Sequence, residues 1–260
     1  MDIQATLNQV CHVFKAIIPD KLTGIYLHGS LAMDCFHPET SDIDLLIVVK
    51  DPLSFAAKQS LMTELVSLTS IYPGKGLELS IILEKHAAEP IYPMPFELHY
   101  GAEWEKRFLL DPTDLCEGGE DPDLPAHIAV TLERGKCLYG RAISEVFAPI
   151  PKKEYLKSVY HDVKEEAILQ NPVYTILNLC RTLQYVKEGK ILSKKEGGEW
   201  GITNLPEEYS PLIRLALDAY EKGEKYHTFE EERLVQFGED LLREILEGLR
   251  VFDFDGTMPG

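Results

Sequence analysis

Three apolar segments in the first third of the chain have the length and composition of buried β-strands. They cover residues 22–27, 45–49 and 76–83, and they are rich in Leu, Ile and Val. Helical spacing of apolar residues over 4–18 predicts an amphipathic helix before the first strand. A second helix is predicted after Ser54, a suitable N-cap, between the second and third strands. This order of elements predicts a small domain with a mixed sheet flanked by helices.

From residue 123 onward, apolar residues recur at helical spacing. Helices are predicted over 123–139, 154–169, 172–188, about 207–222, and from about Thr228 to Arg250. Asn171 and Pro172 form a typical helix start, and Gly189 a typical helix end. Thr228 and Glu231 have the spacing of a capping box. We therefore predict an α+β protein with a nucleotide-binding domain and linker in 1–122 and an α-helical bundle in 123–260.

The segment 84–123 is rich in proline and acidic residues. It has the character of a connection that crosses between two domains, where ligand clefts often form. Trp104 is prominent here, since an aromatic face can bind a cation or a sugar. A tryptophan that simply covers a domain junction has the same sequence signature, so the pattern alone leaves both roles open.

A pair of carboxylates opens the second strand. Side chains alternate along a strand, so Asp42 and Asp44 face the same way, about 6–7 Å apart along it. Mg²⁺ prefers oxygen ligands and commonly completes its shell with substrate phosphates. Gly29 and Ser30 end the first strand; the glycine allows a close backbone approach to a phosphate, and the serine offers its N–H and hydroxyl. The combination predicts a site for Mg²⁺ and a nucleoside triphosphate.

A third carboxylate, Glu78, lies at the start of the third strand. If this strand neighbours the second, Glu78 lies beside the aspartates and is close enough to share a metal. It is also a candidate general base for the hydroxyl of an acceptor molecule. Without Asp42 and Asp44, an exposed strand end would be the better interpretation of Glu78.

Composition and net charge limit the binding partners and the cellular compartment that we expect for this protein. The chain has 260 residues, with 43 acidic and 26 basic ones and a formal net charge of −17. This charge argues against nucleic acid, whose phosphates require Lys and Arg, and is compatible with a cationic small molecule or simply with solubility. Five scattered cysteines indicate neither a zinc site nor disulfides. Without a signal-peptide or membrane-span pattern, we expect a cytoplasmic protein, and a monomer.

The residues Gly29, Ser30, Asp42, Asp44 and Glu78 resemble the motif of the nucleotidyltransferase superfamily that includes DNA polymerase β. The chain more closely resembles the aminoglycoside (3'')(9)-adenylyltransferases, which confer resistance to streptomycin and spectinomycin. That resemblance also rests on segments later in the chain, namely 100–104, 176–181, 189–194, Glu199-Trp200 and Ala219-Tyr220.

The resemblance implies further site residues. Arg181, Lys194 and Tyr220 match positions that contact the nucleotide, as Ser30 does, and Trp104 matches the acceptor site. Asn171 stands where the resemblance places an acceptor-binding aspartate. An amide cannot pair with an ammonium or guanidinium group, so spectinomycin is expected in preference to streptomycin. Glu165 and Glu166 are candidates for the missing charge.

The expected activity is Mg²⁺-dependent transfer of AMP from ATP to a hydroxyl of an aminoglycoside-type antibiotic, with release of pyrophosphate. One alternative keeps this chemistry but modifies a protein side chain or another small-molecule hydroxyl. A second alternative is a non-catalytic nucleotide-binding module. Such a module would be expected to have lost at least one of Asp42, Asp44 and Glu78, and all three are present.

Overall fold

The computed structural model describes residues 2–161, 163, 167–224 and 229–250. The chain divides into two units, Met1–Ile150 and Pro151–Gly260. The predicted boundary between 122 and 123 lies earlier than this division.

The first unit contains seven strands among its described residues: β1 Leu22–His28, β2 Asp42–Val49, β3 Gly76–Leu83, β4 Met94–Pro95, β5 Leu98–Tyr100, β6 Glu120–Asp121 and β7 Lys136–Gly140. Five of them form one sheet in the order β5-β3-β2-β1-β7, and β4 pairs with β6 separately. In the large sheet β2 and β3 are parallel, and the other neighbours are antiparallel. The three strands predicted from the sequence are confirmed as β1, β2 and β3, which lie side by side.

Helices cover both faces of this sheet. They are α1 Ile3–Ile17, α2 Gly29–Ala32, α3 Phe55–Ser67, α4 Glu84–Ala88, α5 Ala102–Leu110, α6 Leu124–Arg134 and α7 Ile143–Val146. Apolar residues of α1 and α3 pack against one face, and residues of α6 pack against the other. Burial on both faces explains why the strands are almost continuously apolar. The predicted mixed sheet flanked by helices is confirmed.

Two predictions about the middle of the chain are corrected. The helix predicted over 123–139 ends at Arg134, and β7 follows and pairs with β1 at the sheet edge. The segment 84–123 is part of the first unit rather than a connection between domains, since β5 pairs with β3. Both strands are short, and β7 is mostly exposed, so neither leaves the apolar alternation that identifies a strand.

The described part of the second unit is helical. Its helices are α8 Lys152–His161, α9 Ala167–Gln170, α10 Pro172–Glu188, α11 Lys194–Asn204, α12 Ser210–Glu221 and α13 Glu231–Arg250, with a 3₁₀ turn at Glu207–Tyr209. The predicted start and end of α10 are confirmed, and Gly189 has the left-handed conformation of a C-cap. The capping-box residue Thr228 lies outside the described residues. No helix in the described ranges is long and apolar enough to cross a membrane.

Helix α10 is the centre of this unit and contacts the other five helices. Its contact with α11 is especially close at Gly197, where a Cβ atom would lie 2.6 Å from Arg181 Cβ and 2.9 Å from the Arg181 backbone nitrogen. Glycine therefore lets α11 approach the backbone of α10 at the turn that carries Arg181.

We predict that Gly197→Ala lowers the free energy of unfolding by about 1–3 kcal/mol, because the new methyl group meets backbone that cannot move aside. Gly238→Ala on α13 is the matched control. Its Cβ would meet the end of the Ile168 side chain at 2.9 Å, which can shift. This control should be neutral or stabilising, since alanine favours helix by about 1 kcal/mol. Thermal unfolding of both variants makes the comparison, and equal midpoints would contradict the prediction.

Candidate active site

The register of two parallel strands brings three carboxylates together. Asp44 of β2 pairs with Glu78 of β3, and Asp42 lies two residues earlier on the same face of β2. One oxygen from each carboxylate lies within 4.8 Å of the other two, and all three residues are half-buried. No second group of potential metal ligands occurs among the described residues. The expected position of Glu78 beside the aspartates is confirmed, and three clustered oxygen ligands fit a hard divalent cation.

Burial makes Glu78 a stronger base than an exposed glutamate. Desolvation raises the pKa of its carboxyl group, and the neighbouring charges of Asp42 and Asp121 raise it further. His127 and Lys75 act in the opposite direction and lower the same pKa. Burial is the largest of these effects, so the carboxylate holds a proton more readily than it would in water.

The Gly29-Ser30 turn predicted at the end of β1 is the start of the short helix α2, and it leaves room for Asp44. Gly29 has a positive φ of 64°, and a Cβ atom at this position would lie only 1.8 Å from Asp44 Oδ2. The residue must therefore be glycine for two independent reasons, backbone conformation and space. Next to it, the Ser30 hydroxyl is buried and has no hydrogen-bond partner in the structure. A buried hydroxyl without a partner is costly, and it fits a site that binds a polar ligand group.

A histidine pair lies beside the carboxylates and was missed by the sequence reasoning. His28, the last residue of β1, pairs with Asp44 across the strands and is 4% exposed. Its ring packs against that of His127 in α6, with 4.9 Å between the ring centroids and 36° between the ring planes. Burial, together with His127, lowers the pKa of His28 well below its ordinary value, so His28 is neutral at pH 7. No sequence signal could link these residues, because only the packing of α6 on β1 brings them together.

Trp104 lies in the first turn of α5 and is partly exposed. The Arg107 guanidinium, one helical turn further on, covers the indole ring at 4.1 Å from the ring centroid. The ring is therefore accessible in part and already makes a cation–π contact within its own helix.

The remaining predicted site residues belong to the second unit. Asn171 occupies the N-cap position of α10, but its side chain makes no capping hydrogen bond and is exposed. Arg181 lies in the middle of α10, and Tyr220 lies near the end of α12. Lys194 is the first residue of α11, with its ammonium group 4.5 Å from the centroid of the Tyr174 ring. Glu165 and Glu166 lie outside the described residues.

Two domain families match the chain, one within the first unit and one that begins near its end and covers most of the second. The nucleotidyltransferase domain matches residues 8–106, which include Gly29, Ser30 and the three carboxylates. The C-terminal domain of aminoglycoside adenylyltransferases matches residues 145–244. This range includes Asn171, Arg181, Lys194 and Tyr220.

Similar proteins span almost the whole chain. A spectinomycin 9-adenylyltransferase from Campylobacter jejuni is 26% identical over 92% of this chain and 95% of its own length. An aminoglycoside (3'') (9) adenylyltransferase from Shigella flexneri is 27% identical over 84% of this chain and 86% of its own length. A crystal structure of an Enterococcus spectinomycin adenyltransferase, AAD(9), with ATP and spectinomycin has a TM-score of 0.75 at 21% identity. The match covers 94% of this chain and 99% of that one, and it supports the same fold.

We predict that Gly29→Ala weakens Mn²⁺ binding by about tenfold or more, because the methyl group displaces the Asp44 carboxylate from the cluster. Gly118→Ala is a matched control: Gly118 has nearly the same positive φ, 65°, but a Cβ there would meet nothing within 4 Å. It imposes a similar backbone cost without moving a carboxylate. Electron paramagnetic resonance of Mn²⁺ titrations measures both affinities, and an equal effect of the two substitutions would contradict the role given to Gly29.

Proposed function

We propose that this chain, a member of the aminoglycoside adenylyltransferase family by its two domains, transfers AMP from ATP to a hydroxyl of an aminoglycoside-type antibiotic. The observation that carries the proposal is the half-buried cluster of Asp42, Asp44 and Glu78 beside the Gly29-Ser30 turn. The curated relatives that match nearly the whole chain are adenylyltransferases of this kind.

In the proposed reaction the acceptor hydroxyl oxygen attacks the α-phosphorus of ATP. A bond forms between that oxygen and the α-phosphorus, the bond from the α-phosphorus to the oxygen bridging to the β-phosphorus breaks, and pyrophosphate leaves. Glu78 accepts the hydroxyl proton. Its raised pKa suits this role, because a general base works best when its pKa approaches the working pH.

Asp42 and Asp44 would hold Mg²⁺, with Glu78 close enough to share it. The chemistry that a bound Mg²⁺ supplies is neutralisation of the charge on the phosphates and on the departing pyrophosphate. Ser30 offers its unpartnered hydroxyl to a phosphate oxygen, which would satisfy a group that otherwise lacks a hydrogen bond. In this proposal the three carboxylates hold the metal, and the Gly29-Ser30 turn contacts a phosphate.

Arg181, Lys194 and Tyr220 would contact the nucleotide, as the resemblance to the adenylyltransferase family implies. Arginine and lysine are suited to phosphate, because their charges stabilise the negative charge that develops as pyrophosphate leaves. The close approach of α11 to α10 at Gly197 supports this proposal, since it holds the helix that begins with Lys194 against the turn that carries Arg181.

Trp104 and Asn171 are the proposed contacts of the acceptor. Asn171 is exposed and not engaged in capping its helix, so its amide is accessible for a ligand. The amide pairs with hydroxyl and carbonyl groups but carries no charge to balance a guanidinium group. Spectinomycin is therefore the favoured acceptor over streptomycin, whose guanidinium groups call for carboxylates. We expect the protein to act as a monomer in the cytoplasm.

We predict that the purified protein releases pyrophosphate from ATP and Mg²⁺ when spectinomycin is present, and releases much less with streptomycin. A coupled pyrophosphate assay measures release, and mass spectrometry identifies the adenylylated drug. Release with neither drug, while Mg²⁺ and ATP still bind, would overturn the antibiotic as acceptor and favour a protein side chain or another hydroxyl compound.

We predict that Glu78→Gln lowers the rate of transfer by about a hundredfold or more, because the amide cannot accept the hydroxyl proton. ATP affinity, measured by calorimetry, should stay close to that of the unchanged protein, since glutamine keeps an oxygen ligand at this position. Glu120→Gln, an exposed residue in β6, is the control for loss of one carboxylate charge. Unchanged turnover in Glu78→Gln would refute the base assignment.

A further inference from the structure

Trp104, the proposed contact of the acceptor, has the Arg107 guanidinium against one face of its indole ring. Arg107 follows Trp104 by one helical turn on α5, where side chains three residues apart are neighbours. Its guanidinium carbon lies 4.1 Å from the centroid of the indole ring. At this distance the guanidinium is in direct contact with the π face that would otherwise attract a cationic ligand.

A carboxylate holds Arg107 in this position. Arg107 Nε donates to Asp114 Oδ2 at 2.8 Å, and Nη2 donates to Asp114 Oδ1 at 3.0 Å. Two parallel hydrogen bonds fix the plane of the guanidinium as well as its position. The loop that carries Asp114 is itself ordered, since its backbone N–H donates to the Asp111 carbonyl at 2.9 Å and the Asp111 carboxylate accepts from Thr113.

This arrangement has a consequence for the charge of the acceptor. A guanidinium or ammonium group of a ligand that approached the covered face of Trp104 would have to displace Arg107 and break both hydrogen bonds to Asp114. If it approached the ring beside Arg107 instead, it would meet a like charge, with the exposed Lys106 next in the chain.

We propose that Arg107 is a specificity-determining residue, which keeps strongly cationic acceptors from Trp104 and leaves the ring to the uncharged, hydroxylated part of the acceptor. The inference rests on the proposed role of Trp104 in acceptor binding. It extends that role, because it names the class of acceptor that the site rejects: ring compounds that carry guanidinium groups.

The test measures binding at Trp104 directly and does not depend on turnover. The chain has two tryptophans, so a Trp200→Phe background leaves Trp104 as the single source of indole fluorescence. Streptomycin and spectinomycin are titrated separately into this background and into Arg107→Leu. Lys106→Leu is the matched control, because it removes one positive charge from the same helix without uncovering the ring.

In Arg107→Leu the dissociation constant of streptomycin should fall about fivefold, the effect of one restored cation–π contact. The constant for spectinomycin should change less than twofold, and Lys106→Leu should leave the ratio of the two constants close to the starting value. Asp114→Asn weakens the two hydrogen bonds to Arg107 without removing the guanidinium, so it should shift the ratio in the same direction by a smaller amount. This variant replaces Arg107→Leu in the test if Arg107→Leu does not fold.

An unchanged ratio in both Arg107→Leu and Asp114→Asn would overturn the inference, as would an equal shift in Lys106→Leu. Failure of the proposed function has a different signature, namely no pyrophosphate release with either drug in the unsubstituted protein. The two failures are therefore read from separate measurements.

Discussion

The parallel pairing of β2 with β3 is the constraint on which the site depends. It places Asp44 and Glu78 at the same level of the sheet, and the alternation of side chains then puts Asp42 on the same face. A shift of one residue in this register would turn Glu78 to the opposite face, into the apolar cluster between the sheet, α1 and α3. That shift is unfavourable because it would bury the Glu78 carboxylate among apolar side chains; beyond their first three residues both strands are apolar except for Ser80.

Three carboxylates in one half-buried cluster repel each other, and the surroundings reflect this cost. Burial and the neighbouring acids raise the pKa of Glu78, while His127 and Lys75 partly offset them. Gly29 leaves room for the Asp44 carboxylate, and the neutral His28 adds no charge behind it. The protein therefore tolerates a local electrostatic penalty that a bound cation would relieve, which is the usual physical basis for a metal site.

The surroundings of Trp104, the proposed acceptor contact, differ from the carboxylate cluster. Trp104 is covered by Arg107, and Arg107 is held by Asp114. A ligand must compete with these contacts or avoid them. The overall negative charge of the chain attracts cations at long range, where salt screens it. The local contacts act at a few ångströms, and we infer that they determine which cations are accepted.

The sequence by itself determined the three central strands, the turn at Gly29 and Ser30, and the candidate carboxylates. These features are local: apolar runs, side-chain alternation and turn chemistry are properties of neighbouring residues. It also located α10 and its caps, because Asn171, Pro172 and Gly189 are terminal signals.

Only the tertiary structure decided that β5 and β7 complete the sheet, that Asp44 lies opposite Glu78, that His28 packs against His127, and that Arg107 covers the Trp104 ring. The first three facts depend on the packing of segments that are distant in sequence. The fourth depends on which rotamers Arg107 and Trp104 adopt once Asp114 fixes the guanidinium. None of them leaves a periodic trace in the chain, so pattern and propensity could not have supplied them.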